Sequence, residues 1–232
     1  MDIIWPGEGL RIIDAVQSPT DLHALTNEEL AIVAAELRGE IVQGTLRTGG
    51  HLASSLGAVE TIVALHAELE CPPDRIVYDV GHQAYAHKLL TGRLRAFGTL
   101  RQHGGLSGFP NPLESPCDAH PSGHASDSLS VALGIAKARD LRGGSERVVA
   151  LIGDGAISGG MAFEALNQIG QDRTSMVIVL NDNGMSISPN VGALSRHFGT
   201  LRASNLYRDR RDVLMRALAQ GGAAARAAAA AI

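Results

Sequence analysis

Val148-Val149-Ala150-Leu151-Ile152-Gly153-Asp154-Gly155 and Met176-Val177-Ile178-Val179-Leu180-Asn181-Asp182-Asn183 decide how this chain folds. Each is an apolar run of β-forming residues that stops on a polar triplet. The two triplets are separated by 25 residues, 156–180, within which Met161, Ala165 and Ile169 recur at four-residue spacing, as on one helical face. Strand, helix and strand in that order predict a βαβ unit. The fold class is therefore α/β, a Rossmann-like parallel sheet flanked by helices. Both triplets then fall at the carboxyl ends of adjacent strands, the edge at which open α/β sheets bind ligands.

The triplets narrow the ligand. Gly153 and Gly155 let the backbone approach a bound group, and peptide N–H groups entering the following helix favour an anion such as a diphosphate. Asp154 alone works against that, because a carboxylate about 4 Å from a phosphate charge is repelled by roughly 4 kcal/mol at an effective dielectric of about 20. A cation between them removes the conflict. Mg²⁺ suits the position, since it takes about six oxygens shared among carboxylate, phosphates and water. A second ligand near Asn183 would be a neutral amide oxygen, which adds no further negative charge.

Composition restricts the partners. With 45% hydrophobic and 19% charged residues, the 232-residue chain reads as globular and as one large domain. A formal net charge of −4 gives no electrostatic ground for nucleic acid or an anionic membrane as partner. Cys71 and Cys117 lie too far apart in sequence for a metal-knuckle pair and offer no disulfide framework, which points to a reducing cytoplasm. The first residues lack the basic and apolar regions of a signal peptide, and no run approaches a membrane span, so a soluble protein is expected.

Residues 1–24 read as an arm or irregular lead-in, 25–200 as the α/β domain, and 201–232 as a charged and Ala-rich tail. Thr26-Asn27-Glu28-Glu29 fits a capping box, followed by Leu30, Val33, Leu37 and Ile41 at helical spacing, with the helix expected to end near Gly44. Thr48-Gly49-Gly50-His51 is a polar loop opening into a helix through Leu56, Val59, Val63 and Leu69, which leaves His51 at the junction as a capping or a functional histidine. The run 75–80 reads as a strand, and it places His82 on a strand-end loop. Residues 98–125 form a long Gly- and Pro-rich loop, and such loops in compact domains are often functional. Gly123 and His124 stand just before a helix through Leu129, Leu133 and Ala136.

The GDG and NDN triplets at this spacing resemble the thiamine-diphosphate motif. With GGHLASSLGAVE at 49–60, YDVGHQAYAHKLLTGR at 78–93, GGLSGFP at 104–110, GDGAISGGMAFEALN at 153–167 and NDNGMSISPNVGALS at 181–195, the chain resembles the amino-terminal part of the 1-deoxy-D-xylulose-5-phosphate synthase family, relatives of transketolase. The resemblance covers most of residues 20–200. It implies acyloin chemistry, in which thiamine diphosphate adds to pyruvate, CO₂ leaves, and the carbanion attacks glyceraldehyde 3-phosphate. It further implies that Asp154, the Asn183 side chain and the Met185 carbonyl hold Mg²⁺, and that Gly155 and Ala156 contact the diphosphate. His82 and the segment Gly123-His124-Ala125 would line the cofactor, and His51 would serve in proton transfer, a task suited to a group titrating near neutrality.

The chain departs from the family pattern at Asp127, usually Ser or Thr, and at Gly184, usually Glu. Family members also run to several hundred residues, and the later part supplies a pyrimidine-binding domain with the acid that activates the aminopyrimidine. The resemblance implies a cofactor held between the two domain types, usually from different subunits of a homodimer. The chain is then expected to be the first part of a longer synthase or one subunit of a split enzyme. A split transketolase-like enzyme and a non-catalytic homologue are the competing readings, the latter motivated by Asp127 and Gly184.

Overall fold

Three parallel strands, β1 (Arg75–Tyr78), β2 (Val148–Gly153) and β3 (Val177–Asn181), lie side by side in the order β1-β2-β3. The structure, a computed structural model, describes residues 11–182 together with Gly192, Ala193, His197 and Thr200. The described helices of α type are α1 (Ile12–Ala15), α2 (Asn27–Thr48), α3 (Leu52–Leu56), α4 (Val59–Glu68), α5 (Tyr85–Lys88), α6 (Ser128–Arg142), α7 (Asp154–Ile157) and α8 (Gly160–Asp172). Successive strand side chains alternate between two buried clusters. Ile76, Tyr78, Val149 and Leu151 join the one beneath α2 and α4, while Val77, Val148, Ala150 and Ile152 join the one beneath α6 and α8. Because both faces are covered, β1 and β2 read as continuous apolar runs. Among the described residues no helix is long and apolar enough to cross a membrane.

The expected capping box forms: the Thr26 N–H donates to Glu29 Oε2 at 2.7 Å and the Glu29 N–H to Thr26 Oγ1 at 3.2 Å. Val33, Leu37 and Ile41 bury fully along one stripe of α2, each contributing about 1.5–3 kcal/mol. The helix does not stop near Gly44, however. It runs to Thr48 and is ended by Gly49, whose φ of +75° suits a glycine. Gly44 serves packing: a Cβ there would lie 2.6 Å from Cε1 of the buried Phe97 ring.

Three further expectations are revised. The helix after His51 is two helices, α3 and α4, interrupted at Gly57 and Ala58. In α8 the sheet-facing residues are Ala162 and Ala165, with Leu166 and Ile169 partly buried, whereas Met161 is 55% exposed. The effective stripe starts at Ala162 and follows i, i+3, i+4, i+7. From residue 11 onward the lead-in is ordered: α1 and a 3₁₀ turn, Pro19–Ala24, bury Ile13 and Leu22 in the first cluster. The buried Glu36 of α2 accepts from the Ile12 and Ile13 N–H groups at 3.2 and 2.9 Å, satisfying donors at the start of α1. Residues 201–232 lie outside the described residues.

His66 of α4 and His87 of α5 are fully buried and stacked, ring centroids 5.0 Å apart. His87 Nε2 lies 2.8 Å from Asp118 Oδ1, and a carboxylate can only accept, so Nε2 carries the proton. His87 Nδ1 then accepts from His66 Nε2 at 2.8 Å, which leaves His66 Nδ1 bare and without a partner. Burial lowers the pKa of both rings, with Asp118 pulling His87 partly back.

Two measurements check these readings. Gly44→Ala gains about 1 kcal/mol of helix propensity but loses about 1–3 kcal/mol to overpacking, so a net loss in urea unfolding is expected. The double variant G44A/F97L should lose less than the two single losses summed. For the histidines, the unfolded chain takes up protons near pH 6.5 and the folded chain only below that, so stability present above about pH 6.5 is lost as pH falls. His66→Gln, which keeps a donor towards His87, should flatten this slope by up to roughly 1.4 kcal/mol per pH unit, seen as urea midpoints at successive pH values.

Candidate functional site at the carboxyl edge of the sheet

The register of β2 against β3 sets Gly153 opposite Asn181, so the two polar triplets leave the sheet from one rung. Helix α7 begins at once with Asp154, and Gly155 is exposed. Of the three candidate metal ligands, Asp154 is described, whereas Asn183 and Met185 lie outside the described residues.

The end of β1 joins the same edge. The Asp79 N–H donates to the Leu151 carbonyl at 2.8 Å, after which the Gly81 N–H reaches back to the Asp79 carbonyl at 2.6 Å, closing a γ-turn on Val80 at φ +58°. A positive φ on a β-branched residue is strained. The Val80 N–H is held by the His124 carbonyl at 3.1 Å. The buried Asp79 carboxylate accepts from the Ser126 N–H at 2.9 Å, the Ser128 N–H at 3.2 Å and the Ser128 hydroxyl at 2.7 Å. Ser126 Oγ in turn donates to the Ala156 carbonyl at 2.7 Å. Gly123, His124 and Ala125 are thereby strung, exposed, between the His82 turn and the Asp154 turn. Gly123, at φ +146°, has no atom within 4 Å of where a Cβ would stand.

His51 and His82 meet at this rim with ring centroids 5.7 Å apart, edge to face, and Phe109 lies 5.7 Å from His51 on its other contact. The His51 N–H donates to the Tyr85 hydroxyl at 3.2 Å, and the His82 carbonyl accepts from Ser55 Oγ at 3.0 Å. In both rings Nδ1 is buried without a partner. Burial lowers both pKa values. The charge of Arg101 lowers His51 further; His51 lowers His82 further, and Asp79 pulls His82 partly back. Both rings are therefore neutral near pH 7, each with one nitrogen able to take a proton.

Asp127 lies before α6 without capping it; its Oδ2 is 3.3 Å from His120 Nε2 and its Oδ1 is buried without a partner. A cavity of about 320 Å³ lined by Arg139, Glu146 and Met176 opens at the amino ends of β2 and β3, the edge opposite this site. Cys71 and Cys117, 46 residues apart, are buried free thiols brought together, each donating to the other's carbonyl at 3.7 and 2.7 Å.

Sequence reasoning had not singled out Asp79, Ser126, Tyr85 or Phe109. The available signals were an acid closing the run Ile76-Val77-Tyr78 and a lone aromatic ring inside a Gly- and Pro-rich loop.

The sequence model of the family described as 1-deoxy-D-xylulose-5-phosphate synthase matches residues 13–231. The chain belongs to this family. It is 58% identical over 198 residues to the 1-deoxy-D-xylulose-5-phosphate synthase of Thermus thermophilus, covering 85% of this chain and 32% of the relative. To the synthase of Lachnoclostridium phytofermentans it is 52% identical over 208 residues, 90% of this chain and 33% of the relative. To that of Syntrophotalea carbinolica it is 58% identical over 186 residues, 80% and 29% respectively. The chain thus spans about a third of the length of these curated synthases and corresponds to the family's amino-terminal domain.

Replacing Asp79 by Ala strands three donors at the start of α6. A loss of about 3 kcal/mol is expected, which for a chain of this size is a Tm drop of roughly 6–12 °C in calorimetry.

Proposed function

We propose that this chain is the diphosphate-binding part of a thiamine-diphosphate- and Mg²⁺-dependent transferase. The reaction condenses pyruvate with glyceraldehyde 3-phosphate to 1-deoxy-D-xylulose 5-phosphate with loss of CO₂. The observation that carries the reading is the Gly153–Asn181 rung, which sets the chain ahead of Asp154 beside the last residue of β3 at one edge of the sheet. Membership of the synthase family supports it.

The residues fit the group. Asp154, the Asn183 amide oxygen and the Met185 carbonyl are hard oxygen donors of the kind Mg²⁺ takes. Gly155 and Ala156 offer backbone to a diphosphate, and the exposed run Gly123-His124-Ala125 with the open space at Gly123 accepts a ligand along its length. The Nδ1 atoms of His51 and His82 are polar atoms at the same rim without hydrogen-bond partners in the protein. When bound, thiamine diphosphate supplies the electron sink for decarboxylating a 2-oxo acid. His82 orients the group. His51, neutral by burial, takes a proton from, or returns one to, the substrate oxygen beside the reacting carbon. Phe109 and the covering loop keep water from that proton.

The acid that activates the aminopyrimidine comes from a pyrimidine-binding domain, supplied by the rest of the protein or by a second subunit in a cytoplasmic homodimer. The chain alone is then catalytically silent.

Calorimetric titration of thiamine diphosphate into the chain together with its pyrimidine-binding part tests the proposal. Binding should require Mg²⁺, and Asp154→Ala should weaken it by more than the roughly 10–100-fold that outer-shell changes cost. Binding that ignores both Mg²⁺ and Asp154 would overturn it.

A further inference from the structure

Residues 104–118 contain neither helix nor strand, yet Gly108 and Pro110 are buried. Two carboxylates from the same loop hold them. Glu114 Oε1 accepts from the Ser107 N–H at 2.7 Å while Oε2 accepts from Lys88 Nζ at 2.6 Å. Asp118 Oδ2 accepts from the Asn111 N–H at 2.6 Å and from Arg93 NH1 at 2.6 Å; Oδ1 accepts from His87 Nε2 at 2.8 Å and Arg93 NH2 at 2.7 Å. Two cations just after the His82 loop thus meet two anions of the strap, and the charges balance. Burial alone would raise the Asp118 pKa, but the bonds from His87 and Arg93 outweigh it and hold the carboxyl well below its usual range.

The two backbone N–H groups so gripped, Ser107 and Asn111, bracket Gly108-Phe109-Pro110. Phe109 is the ring beside His51. Pro110 Cδ sits so close to Gly81 that a Cβ on Gly81 would come within 2.4 Å of it. The Arg101 side chain packs on Gly108, where a Cβ would meet its Cγ and NH1 at 3.1 Å. Phe109 thus meets His51 directly, Pro110 meets the residue before His82, and the Arg101 held at Gly108 is the cation whose charge acts on His51.

We propose that Glu114 and Asp118 are positioning residues, which clamp residues 107–111 into a strap that fixes Phe109 against His51 and Pro110 against the turn carrying His82. The strap sets the hydration of His51, and, on the functional reading given above, its readiness to exchange a proton with substrate. The groups facing His51 are His82, the Tyr85 hydroxyl, Phe109 and Arg101. Loosening the strap admits water and moves Arg101 away, and both changes raise the His51 pKa.

The test is an NMR titration of the His51 Cε1–H signal in the 232-residue chain, assigned with His51→Gln. Glu114→Ala should shift the His51 pKa upward towards its ordinary value near 6.5. Asp74→Ala removes a buried carboxylate that serves the Glu70 and Arg147 N–H groups at the opposite edge of the sheet and so also destabilises the chain, but it touches nothing in the strap, so His51 should titrate as in the parent. A purely structural clamp would move His51 in both variants or in neither, and either result overturns the inference. In the complete synthase, Glu114→Ala should lower kcat roughly tenfold or more with a smaller change in KM for pyruvate, as displaced catalytic groups do; an unchanged kcat also overturns it. The NMR result does not depend on the reaction. A shifted His51 with no thiamine diphosphate binding would retire the functional reading and leave the strap in place.

Discussion

Asp79 directly follows the last rung of β1 with its carboxylate buried, and three donors at and just before the start of α6 converge on it. A buried carboxylate without partners would be costly; here the charge faces a helix N-terminus whose N–H groups need an acceptor. One side chain therefore settles two unsatisfied sets at once. The consequences spread along the edge. Fixing Ser126 fixes its hydroxyl on the Ala156 carbonyl, and fixing the loop before α6 brings the His124 carbonyl to Val80. The His82 turn, the exposed segment at Gly123 and the turn after β2 are thereby one assembly rather than three loops.

The chain uses buried histidine in two different ways. His66 and His87 are sealed in the interior, and their hydrogen bonds run towards Asp118. His51 and His82 stand at the rim, half-buried, with Nδ1 partnerless in each. Burial depresses the pKa in both places, yet only at the rim can a neutral ring meet a substrate. The two pairs are nonetheless linked, because Asp118 holds His87 with one oxygen and the Asn111 end of the strap over His51 with the other. Interior electrostatics thus reach the candidate site through a loop that has no regular structure of its own.

The βαβ unit was legible because strands covered on both faces must be apolar throughout, and β2 is. The pairing of the triplets followed from the same pattern, since parallel strands of similar length end at the same edge. His51 and His82 could be found because each lies at an element boundary next to glycine. What stayed hidden depends on contacts across long separations. Asp79 meets Ser126 and Ser128 47 and 49 residues away, and Glu36 meets Ile12 and Ile13 24 and 23 residues away. No local spacing encodes either. Gly44 misled because glycine ends helices through its backbone freedom but also admits a ring through its missing Cβ, and only the position of Phe97 tells which. Met161 misled because a four-residue repeat has more than one possible phase.

The γ-turn at Val80 gives the edge of the sheet a mechanical character. A β-branched residue kept at positive φ is a compressed spring, and its restraint is the hydrogen bond from its N–H to the His124 carbonyl. Pulling His124 outward would let the turn relax and carry His82 with it, while pressing His124 inward would hold His82 still. Residues 123–125 and the turn that carries His82 are thus joined mechanically through one hydrogen bond.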